Sequence, residues 1–268
     1  MRRDRIVMVI DMKTAFCGFD LMYPAMEALA SRTDMIKLFT CEVDGVFETN
    51  HMALSLASKQ GIPHTTKRIT REDIDELVDT GCELLVSAGY YYKIPVDRRL
   101  RMVNIHPSLL PYGRGAWPMP LAILDGLTQS GVTIHKTEEG FDTGDILLQE
   151  RFDIDREETL LSFMGKVNLL LPDMIGRLIN DLDRLWDNAR PQGDGEYQTQ
   201  PDPEDYIIRP TDTVEYADRV LRAFFGFPCF YDDGERKYEL MSYRAFEGAG
   251  DEESLPLADG HIERVFAI

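Results

Sequence analysis

The first 150 residues alternate short apolar runs with amphipathic stretches. Arg5–Ile10 reads as a buried strand, Phe19–Ser31 as a helix and Met35–Thr40 as a second strand. Asn50–Gln60 sets Ala53, Leu54, Leu56 and Ala57 at helical spacing, and Gly61-Ile62-Pro63 stops it. Thr70–Thr80 opens with a capping-box pattern, Thr70-Arg71-Glu72-Asp73, and carries Ile74, Leu77 and Val78 on one face. Glu83–Ser87 and Arg101–Ile105 read as strands, Trp117–Leu127 as a helix, and Gly131–Thr137 and Asp145–Phe152 as two more strands. Such alternation predicts an α/β fold: a mostly parallel, Rossmann-like sheet with helices on both faces. Ligands in such sheets sit beyond the carboxyl ends of the strands.

The pattern then changes. Glu157–Trp186 is a long helical stretch, expected to kink or break at Pro172. Ala189–Pro203 is rich in Pro, Gly, Gln and Asp, lacks apolar periodicity and reads as a linker. Beyond it, Thr211–Phe224 looks helical, and Phe227–Tyr231, Tyr238–Tyr243 and His261–Phe266 look like short strands. The expected organisation is a catalytic domain over 1–188, a linker over 189–203 and a small α+β or β-rich subdomain over 204–268. Phe224, Phe225, Phe227 and Phe230 are expected to form that subdomain's small core.

Composition narrows the function. With 47 acidic against 29 basic residues the formal net charge is −18, which argues against nucleic acid or an anionic membrane as partner. Cys17, Cys41, Cys82 and Cys229 are far apart, without the spacing of a zinc site or a disulfide framework, so reduced thiols in a cytoplasmic protein are expected. Met1-Arg2-Arg3 is basic, but the apolar run that follows breaks at Asp11, too early for a signal segment or a membrane span. Asp11-Met12-Lys13-Thr14-Ala15 carries no Gly-rich dinucleotide fingerprint, and no HExxH or comparable metal spacing occurs.

The chemistry concentrates between Val103 and Ile146. Asn104 and His106 lie two apart at the end of a strand and so share a face, just before Pro107 and Pro111 force an extended loop. Burying an amide and an imidazole without partners costs about 1–3 kcal/mol each, so core packing explains them poorly. Asp142, in Gly140-Phe141-Asp142-Thr143-Gly144, taken alone is an ordinary turn aspartate. Beside His106 it would favour the protonated imidazole, and Asn104 could donate to a developing oxyanion, a contact worth about 3 kcal/mol. His135 is read as a strand residue near the site.

Asn104-Ile105-His106-Pro107-Ser108-Leu109-Leu110-Pro111, followed by Arg114-Gly115 and Pro118, resembles the signature of the folate-dependent formyltransferases. Gly131-Val132-Thr133-Ile134-His135 and Phe141-Asp142-Thr143-Gly144-Asp145-Ile146-Leu147 extend the resemblance, which covers roughly Met1 to Asn180 in element order. It implies N10-formyltetrahydrofolate as cosubstrate, Asn104, His106 and Asp142 as catalytic residues, and no metal. It also implies a folate site at Ala88, Gly89, Tyr92, Ile94, Leu109, Glu139, Gly140 and Asp142, and an acceptor site at Ser108, Pro111, Tyr112, Arg114 and Gly115. Pro203–Ile208 and Val220–Pro228 resemble the sugar-nucleotide N-formyltransferases more loosely, with Tyr206, Arg209 and Arg222 as candidates to face a nucleotide. The acceptor implied is a nucleotide-linked amino sugar, such as a dTDP-4-amino-4,6-dideoxyhexose used in bacterial surface glycans such as lipopolysaccharide. Another small amine (an amino acid, hydroxyornithine or a carrier-bound aminoacyl group), methionyl-tRNA, or a folate-binding protein without turnover are the alternatives. A homodimer through the C-terminal strands is implied by the resemblance alone.

Overall fold

A computed structural model describes residues 10–41 and 49–264. The expected strand Arg5–Ile10 therefore lies almost wholly outside the described residues, and so does the end of His261–Phe266. The elements in chain order are β1 (Lys13–Gly18), α1 (Tyr23–Ala30), β2 (Asp34–Phe39), α2 (His51–Gln60), β3 (His64–Thr65), α3 (Arg71–Asp79), β4 (Leu84–Ala88) and β5 (Arg101–His106). There follow β6 (Arg114–Gly115), α4 (Pro118–Leu124), β7 (Gln129–Lys136), β8 (Ile146–Asp153), α5 (Leu160–Asn180) and α6 (Leu182–Asp187). The last are β9 (Tyr197–Gln198), β10 (Ile207–Ile208), α7 (Val214–Ala223), β11 (Cys229–Asp232), β12 (Lys237–Leu240), β13 (Tyr243–Glu247), β14 (Leu255–Pro256) and β15 (Gly260–Arg264).

Seven strands form one sheet in the order β3-β2-β1-β4-β5-β7-β8. β1, β2, β3, β4 and β5 pair in parallel, and β7 runs antiparallel to β5. The expected mostly parallel sheet is therefore present. Among the described residues its first strand begins at Lys13, so Lys13, Thr14 and Ala15 lie in a strand. Residues 14–19 are buried, as a strand covered on both faces must be.

Local sequence sets the helix ends. Thr70 Oγ1 accepts from the Asp73 amide, and Asp73 Oδ2 accepts from the Thr70 amide at 2.8 Å, the reciprocal cap that starts α3. Ile74 and Leu77 then pack with Ala15, Phe39, Leu85 and Met102. α5 runs through Pro172 without ending there, and the chain turns only at Asp181. A mid-helix proline costs about 3 kcal/mol. Val167, Leu171, Met174, Ile175 and Leu178 are each buried, and burial stabilises by about 1.5–3 kcal/mol per side chain, so the apolar face prevails.

The chain divides into two compact units. One comprises 1–114, 131–150 and 167–196; the other comprises 115–130, 151–166 and 197–268. The one-cut organisation expected from the sequence differs from this, because α4 contacts α7 of the C-terminal region, where Arg219 donates to the Leu124 carbonyl at 3.4 Å. In the second unit β10, β11 and β12 form one small sheet, and β13, β15 and β14 another. Ala217, Val220, Phe224, Tyr231 and Ile262 are buried there. Of the four expected core phenylalanines, Phe224 is fully buried; Phe225 is exposed, Phe227 lies edge-on to Trp117, and Phe230 carries the Lys237 ammonium over its ring. Among the described residues, no helix is long and apolar enough to cross a membrane.

Candidate active site

The site stands on one face at the β4, β5 and β7 strand ends, all within the first unit. Register brings its polar residues together. Ser87 of β4 pairs with Asn104 of β5, Asn104 pairs with His135 of β7, and His106 pairs with Thr133. Asn104 and His106 share a face by alternation, as do Thr133 and His135, so antiparallel pairing lays all four side by side.

The loop after β5 then folds back on itself. Ser108 Oγ donates to the Tyr112 carbonyl at 2.7 Å, and Thr133 Oγ1 donates to the Ser108 carbonyl at 2.6 Å. Gln149 Nε2 donates to Thr133 Oγ1 and to the Leu110 carbonyl. These bonds carry Gly113 to His106, whose Nε2 lies 2.6 Å from the Gly113 carbonyl. His106 is 5% exposed and His135 is 2% exposed.

Asp142 arrives from the turn between β7 and β8. Its φ of +54° is left-handed, a region that Asp tolerates better than most residues. The turn is tight: a Cβ at Gly144 would stand 1.9 Å from the Lys136 carbonyl oxygen, so only glycine fits. Asp142 Oδ1 sits 3.5 Å from His106 Nδ1, 3.4 Å from His135 Nε2 and 3.2 Å from Asn104 Nδ2. The trio expected from the sequence is thus assembled, with His135 as a fourth member. Alternation of Thr133 and His135 was the signal in the sequence that could have found it.

Burial pushes the His106 imidazole below its ordinary value, outweighing Asp142 and the Gly113 carbonyl, which raise it. Desolvation thus works against the protonated ring that the carboxylate was expected to favour. In the neutral form the ring proton belongs on Nε2, toward the Gly113 carbonyl, and Nδ1 presents a lone pair.

The other expected site residues fall into three groups. Ala88 is fully buried, Ile94 packs in the core with Leu100 and Met102, and Gly89 turns the chain at φ +65°. Tyr92 lies under the Arg68 guanidinium, Leu109 is half-buried, and Glu139 is exposed and paired with Lys93 at 3.2 Å beside Gly140. Pro111 and Tyr112 are half-buried in the loop, and Gly115 begins the second unit. Arg114 spends its guanidinium on Gln192 Oε1 and the Gly193 and Gly195 carbonyls. Gln192 in turn donates to the Asp142 and Gly144 carbonyls, so the stretch read as a linker braces the Asp142 turn. Its order comes from polar contacts, which leave no apolar periodicity to read. Arg222 bonds Asp218 and the Glu158 carbonyl, Arg209 pairs with Glu204, and Tyr206 packs on Phe224. Among the described residues, no group of three or more His, Cys, Asp or Glu could hold a metal ion.

This chain is similar to proteins of known family. It is 34% identical over 178 residues to a methionyl-tRNA formyltransferase of Ehrlichia ruminantium, covering 65% of this chain and 57% of that relative. The chain thus spans little more than half the length of that relative. Its fold resembles that of a sugar N-formyltransferase from Shewanella, with TM-score 0.64, 22% identity, and coverage of 85% of this chain and 96% of the other. It also resembles HypX from Aquifex aeolicus in complex with tetrahydrofolic acid, with TM-score 0.68, 15% identity, and coverage of 94% and 43%. The formyl transferase family profile matches residues 40–175, half of the chain and all of Asn104, His106, His135 and Asp142, so the chain belongs to the formyl transferase family.

Proposed function

We propose that this protein is an N-formyltransferase that moves a formyl group from N10-formyltetrahydrofolate to the amine of a nucleotide-linked amino sugar. The carrying observation is the convergence of Asn104, His106 and His135 on one oxygen of Asp142. In this reading the amine attacks the formyl carbon, and the Asn104 N–H that now meets Asp142 Oδ1 passes to the oxygen that gains charge. The new carbon–nitrogen bond forms, the carbon–N10 bond breaks, and the proton lost by the amine passes through Asp142 and His106 to N10. Folate would meet the backbone of residues 88–95, since Ala88 and Ile94 turn their side chains into the core, with Tyr92, Leu109 and the Glu139-Gly140 turn beside it.

The acceptor rests on charge. Methionyl-tRNA formyltransferases among the relatives favour a tRNA reading, but tRNA binding needs clustered Lys and Arg, and this chain has net charge −18. A small nucleotide-linked amine needs only a local pocket. The cysteine pattern supports a cytoplasmic location.

The test supplies N10-formyltetrahydrofolate with dTDP-linked amino sugars, glycinamide ribonucleotide, hydroxyornithine or methionyl-tRNA, and follows tetrahydrofolate release. Turnover of an amino sugar, lowered about 100-fold or more by Asp142→Asn, is expected. Turnover confined to another acceptor overturns the sugar assignment. Folate binding with no turnover of any amine leaves a folate-binding protein.

A further inference from the structure

The polar cluster dictates its own hydrogen positions. Asp142 Oδ1, as a carboxylate oxygen, can only accept, so the Asn104 amide atom 3.2 Å from it is the nitrogen. The amide oxygen therefore faces Ser87 Oγ at 2.8 Å, which donates to it. The same amide nitrogen lies 3.3 Å from His135 Nε2, so that ring atom accepts and is bare. A second, independent contact agrees: His135 Nδ1 lies 2.8 Å from the Lys136 carbonyl oxygen, which cannot donate, so Nδ1 carries the ring proton.

We propose that His135 is a positioning residue. Its bare Nε2 receives one N–H of Asn104 and, together with Ser87 at the opposite end, fixes the amide plane, so that the other N–H, which meets Asp142 Oδ1 in this structure, is the one that passes to the reacting oxygen. The proposal rests on the reading of Asn104 as the oxyanion donor. A proton on His135 would convert Nε2 from acceptor to donor. Asn104 would lose that partner, and Nε2–H would turn to Asp142 Oδ1, 3.4 Å away, the oxygen that also faces His106. The ionisable groups facing this ring are Asp142 from the following turn and His106 from β5, whose ring centroid is 6.4 Å away. Lys136, next in the strand, directs its ammonium to Asp145 and over the Trp186 ring.

The test begins with the wild-type protein, labelled with 15N at histidine. Long-range proton–nitrogen spectra near pH 7.5 should show His135 as the Nδ1–H tautomer with an unprotonated Nε2. An Nε2–H ring overturns the proposal. In kinetics, His135→Ala should lower kcat about tenfold or more with KM for the folate unchanged, because a misaligned donor is lost mainly in the transition state. His135→Gln, which can offer an amide oxygen near the place of Nε2, should recover part of that loss. A His135→Ala kcat within about twofold of wild type also overturns it. If Asn104→Ala leaves kcat unchanged while the tautomer is as expected, the catalytic reading of Asn104 has failed and the geometry of His135 has not.

Discussion

His106 shows how burial decides a protonation state. A carboxylate 3.5 Å from the ring would normally raise its pKa, yet desolvation of a nearly buried imidazole lowers it. The unfolded chain takes up the proton first, near the ordinary value of about 6.5, and the folded chain only at lower pH. The stability due to the neutral ring is therefore complete above that value and is lost as the pH falls below it. His106→Gln keeps a donor for the Gly113 carbonyl and removes the titration. Urea unfolding at pH 7.5 and 5.5 should show a larger loss of stability in the wild type than in the variant; equal losses would contradict the assignment. The wild-type turnover rate should also fall on the acid side. Asn104 and His106 were legible because core packing explains them poorly, whereas Asp142, alone an ordinary turn aspartate, was legible through its place beside them and the resemblance to the formyltransferases. His135 was legible only as a strand residue near the site, and the contact of Ser87 with Asn104 was not, because a single histidine or serine inside an apolar strand reads as a satisfied core group until its cross-strand partner is known.

At the scale of elements, the site depends on strand register and on one tight turn. β5 and β7 must pair so that Asn104 faces His135, and a slip of one residue would send that row to the other face. Gly144 lets the turn after β7 fold under the Lys136 carbonyl. Gly144→Ala should therefore destabilise the protein by about 1–3 kcal/mol and displace Asp142, lowering kcat as well. Denaturant unfolding and kinetics on the same preparation would check this, and an unchanged midpoint would show that the turn can relax. Most strands and helices were readable from periodicity and caps. The continuity of α5 through Pro172 was not, because it depends on how much of the helix's apolar face is buried, and spacing alone does not report that.

Over the whole molecule, charge limits the partners. A chain of net charge −18 repels a polyanion, so labelled methionyl-tRNA should show no saturable binding at micromolar concentration in 150 mM salt. Fluorescence anisotropy is the measurement. Submicromolar affinity with a steep inverse dependence on salt would move the acceptor reading to tRNA. The division into two units is also a property of this scale. Residues 115–130 and 151–166 join the C-terminal region although they fall inside the stretch that reads as one α/β domain.

By itself the sequence determined the α/β class, the order of strands and helices, and the residue types able to hold an oxyanion and move a proton. Those follow from local rules: periodicity, caps, turn chemistry and the cost of burying polar groups. Tertiary structure alone decided that His135 and Ser87 flank Asn104, that Gln192 braces the Asp142 turn, and that burial pushes the His106 imidazole below its ordinary value. Each of these depends on contacts between residues distant in the chain and on how far water is excluded, and the pattern along one strand carries neither.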